Sequence, residues 1–189
     1  CGSFKMFHTY WNFDYPFWAE SKHYNLKFDR RGELFYYTQH QLMARYYLER
    51  LSNGLGEVKP FSYFTYKSKI EGFEPSLRYQ NGKEFPVRPE GASFVGSLKT
   101  EDLIVFERRI HDAIDLGFVF GKEGQKISLK EKEGIAILGE MIEGTGDSVN
   151  KNFYGSLYNL IKTVFGHVTD VTYQHTVAPS ALEHFETAT

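Results

Sequence analysis

Between Arg30 and Leu55 the chain reads RRGELFYYTQHQLMARYYLERLSNGL. Gly32 marks the start of a helix, and from Glu33 to Leu51 nothing interrupts it. The run Ser52-Asn53-Gly54 supplies a stop, because Asn and Gly tolerate the left-handed conformation that closes a helix. That allows about five turns. Leu34, Tyr37, Leu48 and Leu51 share one apolar stripe, while Phe35, Tyr36, Met43, Tyr46 and Tyr47 widen it past a single face. A helix apolar over most of its circumference is expected to be buried on several sides. The polar residues inside it, Gln39, His40 and Gln41, then need their own account.

The rest of the chain arranges around this helix. Phe4 to Phe13 reads as a helix ended by Tyr15-Pro16, since the residue before proline avoids the helical region. Trp18 to Asp29 reads as a mixed connection. From Gly56 to Gly96 prolines and glycines alternate, which excludes long helices. Within that stretch Asn81-Gly82 signals a short hairpin, and Phe61, Tyr63, Phe64 and Tyr66 are expected to pin the excursion to the helical body.

Lys99 to Gly117 is the cleanest amphipathic helix, with Leu103, Phe106, Ile110, Ala113 and Ile114 as its buried stripe. Phe118-Val119-Phe120 and Ile127-Ser128-Leu129 flank a turn at Gly121 to Gly124 and predict a hairpin. Lys132 to Ile142 predicts a short helix with Ile135, Leu138 and Met141 inward. Gly144 to Ser148 is a loop, Phe153 to Phe165 a helix, and Ser180 to Phe185 begins a last element. These elements read as one mainly helical domain.

Composition changes this picture in one respect. A net charge of −2 gives no electrostatic case for nucleic acid or acidic membranes. No run approaches the ~20 apolar residues of a membrane span. The single cysteine, Cys1, leaves no internal disulfide and no Cys-based zinc site. The unusual feature is the 17 Phe, 13 Tyr and 2 Trp, 17% of the chain. Composition alone favours a core built from rings over a store of aromatic amino acids. The chain has no starting Met and begins and stops in mid-pattern, so it reads as a piece of something longer, truncated at both ends.

Common catalytic signatures are absent. There is no Gly-x-Ser-x-Gly elbow. Gly121-Lys122 mimics the end of a phosphate loop, but Leu116 replaces the required glycine and Glu123 the Ser/Thr, so it reads as a hairpin turn. No two of the seven histidines lie four apart, and no carboxylate pair is marked by spacing as an acid/base couple.

The opening helix, with its Gly-Glu-Leu-Phe, Ala-Arg-Tyr and Glu-Arg-Leu-Ser-Asn segments, resembles a helix of the copper-bearing middle domain of the arthropod hemocyanin superfamily. Further blocks match in the same order: Arg109-Ile110 with Asp112 to Asp115, Ile137-Leu138-Gly139, Tyr154-Gly155-Ser156-Leu157, and Glu183 to Thr189. The resemblance covers nearly all of residues 1–189. It implies a mainly α fold: a hemocyanin-type middle domain with a helical bundle core, long irregular loops and short β-hairpins.

Oxygen-binding members hold two coppers, each with two histidines four apart on one helix and a third from a second helix. Residues at that spacing share a helix face, so both imidazoles reach one metal. The resemblance places the first pair on His8 and Asn12 and the third position on Gln39. It places the second pair on Tyr158 and Lys162, and the sixth position beyond Thr189. His40 is off the ligand face, since one residue is ~100° of rotation. Only His8 keeps an imidazole, and it is expected to be a buried polar residue with no metal. No cofactor is expected.

A hemocyanin-like chain rich in Phe and Tyr without its copper ligands resembles the insect hexamerins, especially the arylphorin type. The resemblance implies a non-enzymatic amino-acid store, secreted into hemolymph as a homo- or hetero-hexamer of longer subunits. In that context storage becomes the favoured reading of the aromatic content. Carriage of small hydrophobic ligands or hormones is the alternative, and a copper oxygen carrier or phenoloxidase the remote one.

Overall fold

The computed structural model describes residues 2–26, 28–58, 72, 74, 76, 78, 80–82, 84, 87–91 and 100–162. Seven helices and one hairpin are found among them. They are α1 (Gly2–Asp14), α2 (Ser21–Tyr24), α3 (Arg31–Ser52), α4 (Thr100–Leu116), β1 (Phe118–Phe120), β2 (Lys126–Ser128), α5 (Gly134–Glu143), α6 (Lys151–Tyr154) and a helical segment at 157–162, here α7. The fold is mainly helical, as the apolar periodicity predicts. No helix among the described residues is long and apolar enough to cross a membrane.

The chain divides into two compact units. Among the described residues, one holds 2–10, the described positions from 72 to 104, and 160–162. In it Leu103 and Lys162 are buried, and Arg78 and Glu84 form an isolated antiparallel bridge around Asn81-Gly82. The expected ring anchors Phe61, Tyr63, Phe64 and Tyr66 lie outside the described residues, as does everything from 163 onward.

The other unit spans residues 11–58 and 105–159 of the described chain and is centred on the crossing of α3 and α5. The crossing is close because it is lined by small residues. A Cβ on Gly32 would overlap the Ala136 carbonyl, and one on Gly139 would overlap the Gly32 carbonyl. Beside it, Ile110, Ala113, Val119, Met141 and Tyr154 form a buried cluster, with Ile127, Ile137, Leu138 and Leu157 packed around it. Each such aliphatic side chain contributes roughly 1.5–3 kcal/mol on full burial. The hairpin pairs Val119 with Ile127, and the Phe120 backbone N–H donates to the Tyr154 hydroxyl at 2.9 Å.

Several expectations need correction. α3 is not buried on several sides: its buried residues are Arg31, Gly32, Phe35 and Thr38, all in the first half. Tyr37, Met43, Leu48 and Leu51 are exposed. Sequence periodicity registers which residues are apolar, not how far a neighbouring element extends along them. Ile114 and Ile135 are likewise exposed, at the edges of their stripes. A short helix, α2, occupies part of the supposed connection. The helix expected from Phe153 onward is broken at Gly155, whose φ of 77° lies in the left-handed region. A Cβ there would approach the Phe106 ring to 2.8 Å, so the break and the close packing of α4 select glycine together.

Candidate functional site

The positions that the resemblance assigns to copper ligands lie on α1, α3 and α7. His8 and Asn12 are one helical turn apart on α1; His8 is buried and Asn12 half-buried. Tyr158 and Lys162 stand four apart on α7, Tyr158 half-buried and Lys162 buried. Gln39 is half-buried in the middle of α3, whereas its neighbour His40 is exposed. The rotation that separates Gln39 from His40 is therefore visible in their accessibility.

Within the α3–α5 unit, Gln39 and Tyr158 meet. The Gln39 side-chain amide donates to the Tyr158 hydroxyl at 3.4 Å, a long hydrogen bond. The Tyr158 ring stands edge-on to Phe35 with centroids 5.2 Å apart, a favourable aromatic geometry. Among the described residues no group of three or more His, Cys, Asp or Glu side chains is arranged to hold a metal ion. The side chains at the five positions are an imidazole, two carboxamides, a phenol and an ammonium. Copper favours neutral imidazole and thiolate, and an ammonium cation repels it. At the positions that the resemblance assigns, all but His8 carry side chains other than the imidazoles copper favours.

Sequence spacing gave no warning of a second polar feature. Arg31, entering α3, is buried and its guanidinium pairs with the buried Glu143 of α5 at 2.5 Å. It also donates to the Tyr15 carbonyl at 3.0 Å and lies over the Trp11 and Tyr15 rings, 4.9 and 5.1 Å from their centroids. Cation and rings attract through the ring quadrupole. The pair thus ties α1, α3 and α5 together. The only sequence signal was a charged residue at the mouth of a helix apolar on most sides.

Next to Arg31 a cavity of about 530 Å³ opens, with Pro16, Ala19 and Phe28 as its apolar wall and Lys22, Glu140 and Asp147 among its polar residues. Asp147 is already engaged, accepting from the Ser21 backbone N–H at 3.0 Å and from the Ser21 hydroxyl. Pockets for hydrophobic small molecules are mostly apolar with few polar groups. This mixed, charged lining does not favour a hydrophobic ligand.

Residues 3–189 match the family described as "Hemocyanin, copper containing domain". The chain belongs to the hemocyanin family. It is 43% identical over 185 residues to allergen Cr-PI of Periplaneta americana, covering 96% of this chain and 26% of that protein. It is 41% identical over 187 residues to the hemocyanin A chain of Panulirus interruptus, covering 96% and 28%. It is 35% identical over 228 aligned residues to a hexamerin of Blaberus discoidalis, covering 96% and 31%. A scorpion hemocyanin structure superimposes with a TM-score of 0.78 at 30% identity, covering 93% of this chain and 30% of that one. A crustacean hemolymph-type prophenoloxidase gives 0.77 at 29%, covering 96% and 30%. The chain therefore spans between a quarter and a third of the relatives it matches. Hemocyanin-family membership agrees with the resemblance read from the Arg30–Leu55 helix.

Proposed function

We propose that this chain is the middle domain of a hexamerin, a non-enzymatic store of amino acids that has lost the family's copper sites. The observation that carries the reading is the pairing of Gln39 with Tyr158 at positions where the resemblance expects imidazoles. The buried ammonium of Lys162 at a third such position points the same way. Side chains of this kind keep a helical package closed through hydrogen bonds but offer no open coordination site. The aromatic content of 17% then has a use, as a supply of Phe and Tyr on degradation. The relative named hexamerin supports the reading. On it, residues 1–189 belong to one domain of a longer subunit secreted into hemolymph and assembled as a homo- or hetero-hexamer.

The relative named hemocyanin A, at higher identity than the hexamerin, favours a second reading, a copper protein. It requires histidines where Asn12, Gln39, Tyr158 and Lys162 stand. Oxygen uptake and diphenol oxidation by the purified native protein separate the two. Storage predicts neither activity, before or after exposure to copper salts. Reversible oxygen binding or diphenol turnover would overturn it.

A further inference from the structure

The chain holds three methionines. Two of them, Met43 and Met141, lie in the same compact unit but in opposite surroundings. Met141 of α5 is fully buried in the cluster with Ile110, Ala113, Val119 and Tyr154. An oxidant dissolved in water reaches its thioether only when this core opens, and core openings are the costliest ones in a folded chain. A polar oxygen added to Met141 would also stand among apolar side chains without a hydrogen-bond partner, which is unfavourable.

Met43 instead lies in the second half of α3 and is 50% exposed. Residues three or four apart share a helix face, so His40, Met43, Tyr47 and Leu51 form one stripe along α3. All four are exposed. The residues by which α3 joins the core, Arg31, Gly32, Phe35 and Thr38, all lie nearer its N-terminus. No turn of α3 has to open for a small oxidant to reach the Met43 side chain, and a polar product there stays in water.

We propose that Met43 is a site of oxidation to the sulfoxide by hydrogen peroxide, that the fold survives this change, and that Met141 is protected by its place in the core. A lone pair on the Met43 sulfur attacks one peroxide oxygen. The O–O bond breaks, an S–O bond forms, and the other oxygen leaves with both peroxide protons as water. The sulfur is oxidised by two electrons and the peroxide reduced by two, so no further reactant is needed. The product converts a flexible apolar side chain into a polar one and interrupts the apolar part of the stripe next to Tyr47.

The test is timed treatment of the purified native protein with hydrogen peroxide at neutral pH, followed by peptide mass spectrometry and by denaturation midpoints on the same samples. Oxygen should be added at 43 more than about tenfold faster than at 141, because only the core site waits for an opening. The midpoint should hold while Met43 converts. In denaturant the two rates should converge. Met43→Leu, close to a volume-conserving exchange, should abolish the fast gain of oxygen in the α3 peptide and leave Met141 as slow as before. Equal native rates, faster conversion of Met141, conversion of Met43 only in denaturant, or a midpoint that falls on treatment in the native protein but not in Met43→Leu would overturn the proposal.

Discussion

Gln39 of α3 donates its side-chain amide to the hydroxyl of Tyr158, 3.4 Å away on α7, and the Tyr158 ring packs edge-on to Phe35. The phenol thus serves two purposes, one polar and one apolar. Tyr158→Phe removes the hydroxyl, with its long hydrogen bond to Gln39, and keeps the ring, and should cost about 1 kcal/mol. Tyr158→Ala also removes the ring and should cost roughly 2–4 kcal/mol. Urea midpoints measure both, and equal losses would show that the ring contact contributes nothing.

The crossing of α3 and α5 leaves no room for a side chain at its centre. Gly32→Ala drives a methyl group into the Ala136 carbonyl, which is backbone and cannot rotate away. Overpacking typically costs 1–3 kcal/mol, and a backbone clash belongs at about the upper end. Gly56→Ala, where nothing lies within 4 Å, should change stability by less than about 0.5 kcal/mol. Thermal unfolding of the two variants side by side checks the contrast.

The Arg31–Glu143 pair is buried on both sides, with side-chain exposures of 5% and 3%. Removing one partner leaves a buried charge and typically costs 3–5 kcal/mol. Arg31→Met should lose about that much, and more through the Trp11 and Tyr15 ring contacts. Arg31→Met combined with Glu143→Leu should recover a large part of the loss, because a buried apolar pair often equals a buried ion pair. A denaturant double-mutant cycle gives the coupling, and additive losses would contradict it.

Burial raises the Tyr36 phenol above its ordinary value of 10.0. The folded state then holds this proton where the unfolded state has released it. Stability from this source is intact below the unfolded value and falls as pH rises through it towards the folded one. Lys151, lowered by burial, works with the opposite sign in the same alkaline range. Tyr36→Phe should therefore flatten the loss of stability above about pH 10. Denaturation midpoints between neutral and strongly alkaline pH measure it, and an unchanged slope would refute the assignment.

Much of this was legible in the chain itself. Apolar spacing placed α1, α3, α4 and α5 to within a few residues, and the glycine turn placed the hairpin. These are local signals. The exposure of Leu48 and Leu51 was not legible, because it depends on what packs against the second half of α3. The break at Gly155 was missed, and the Phe106 ring that leaves no room for a side chain there lies 49 residues away in sequence. Of the candidate site, the resemblance supplied the five positions, Gln39 and not His40 among them, and helix rotation turns His40 off that face. The meeting of Gln39 with Tyr158, 119 residues apart, needed the fold. So did the Arg31–Glu143 pair, 112 residues apart.

We propose that Gln39 and Tyr158 stand where the resemblance expects copper-bound imidazoles. Copper per subunit, measured by elemental analysis of the native protein together with its absorption spectrum under oxygen and under argon, tests this most directly. Copper far below stoichiometric and identical spectra in the two gases are expected. Stoichiometric copper with an oxygen-dependent absorption band would contradict it.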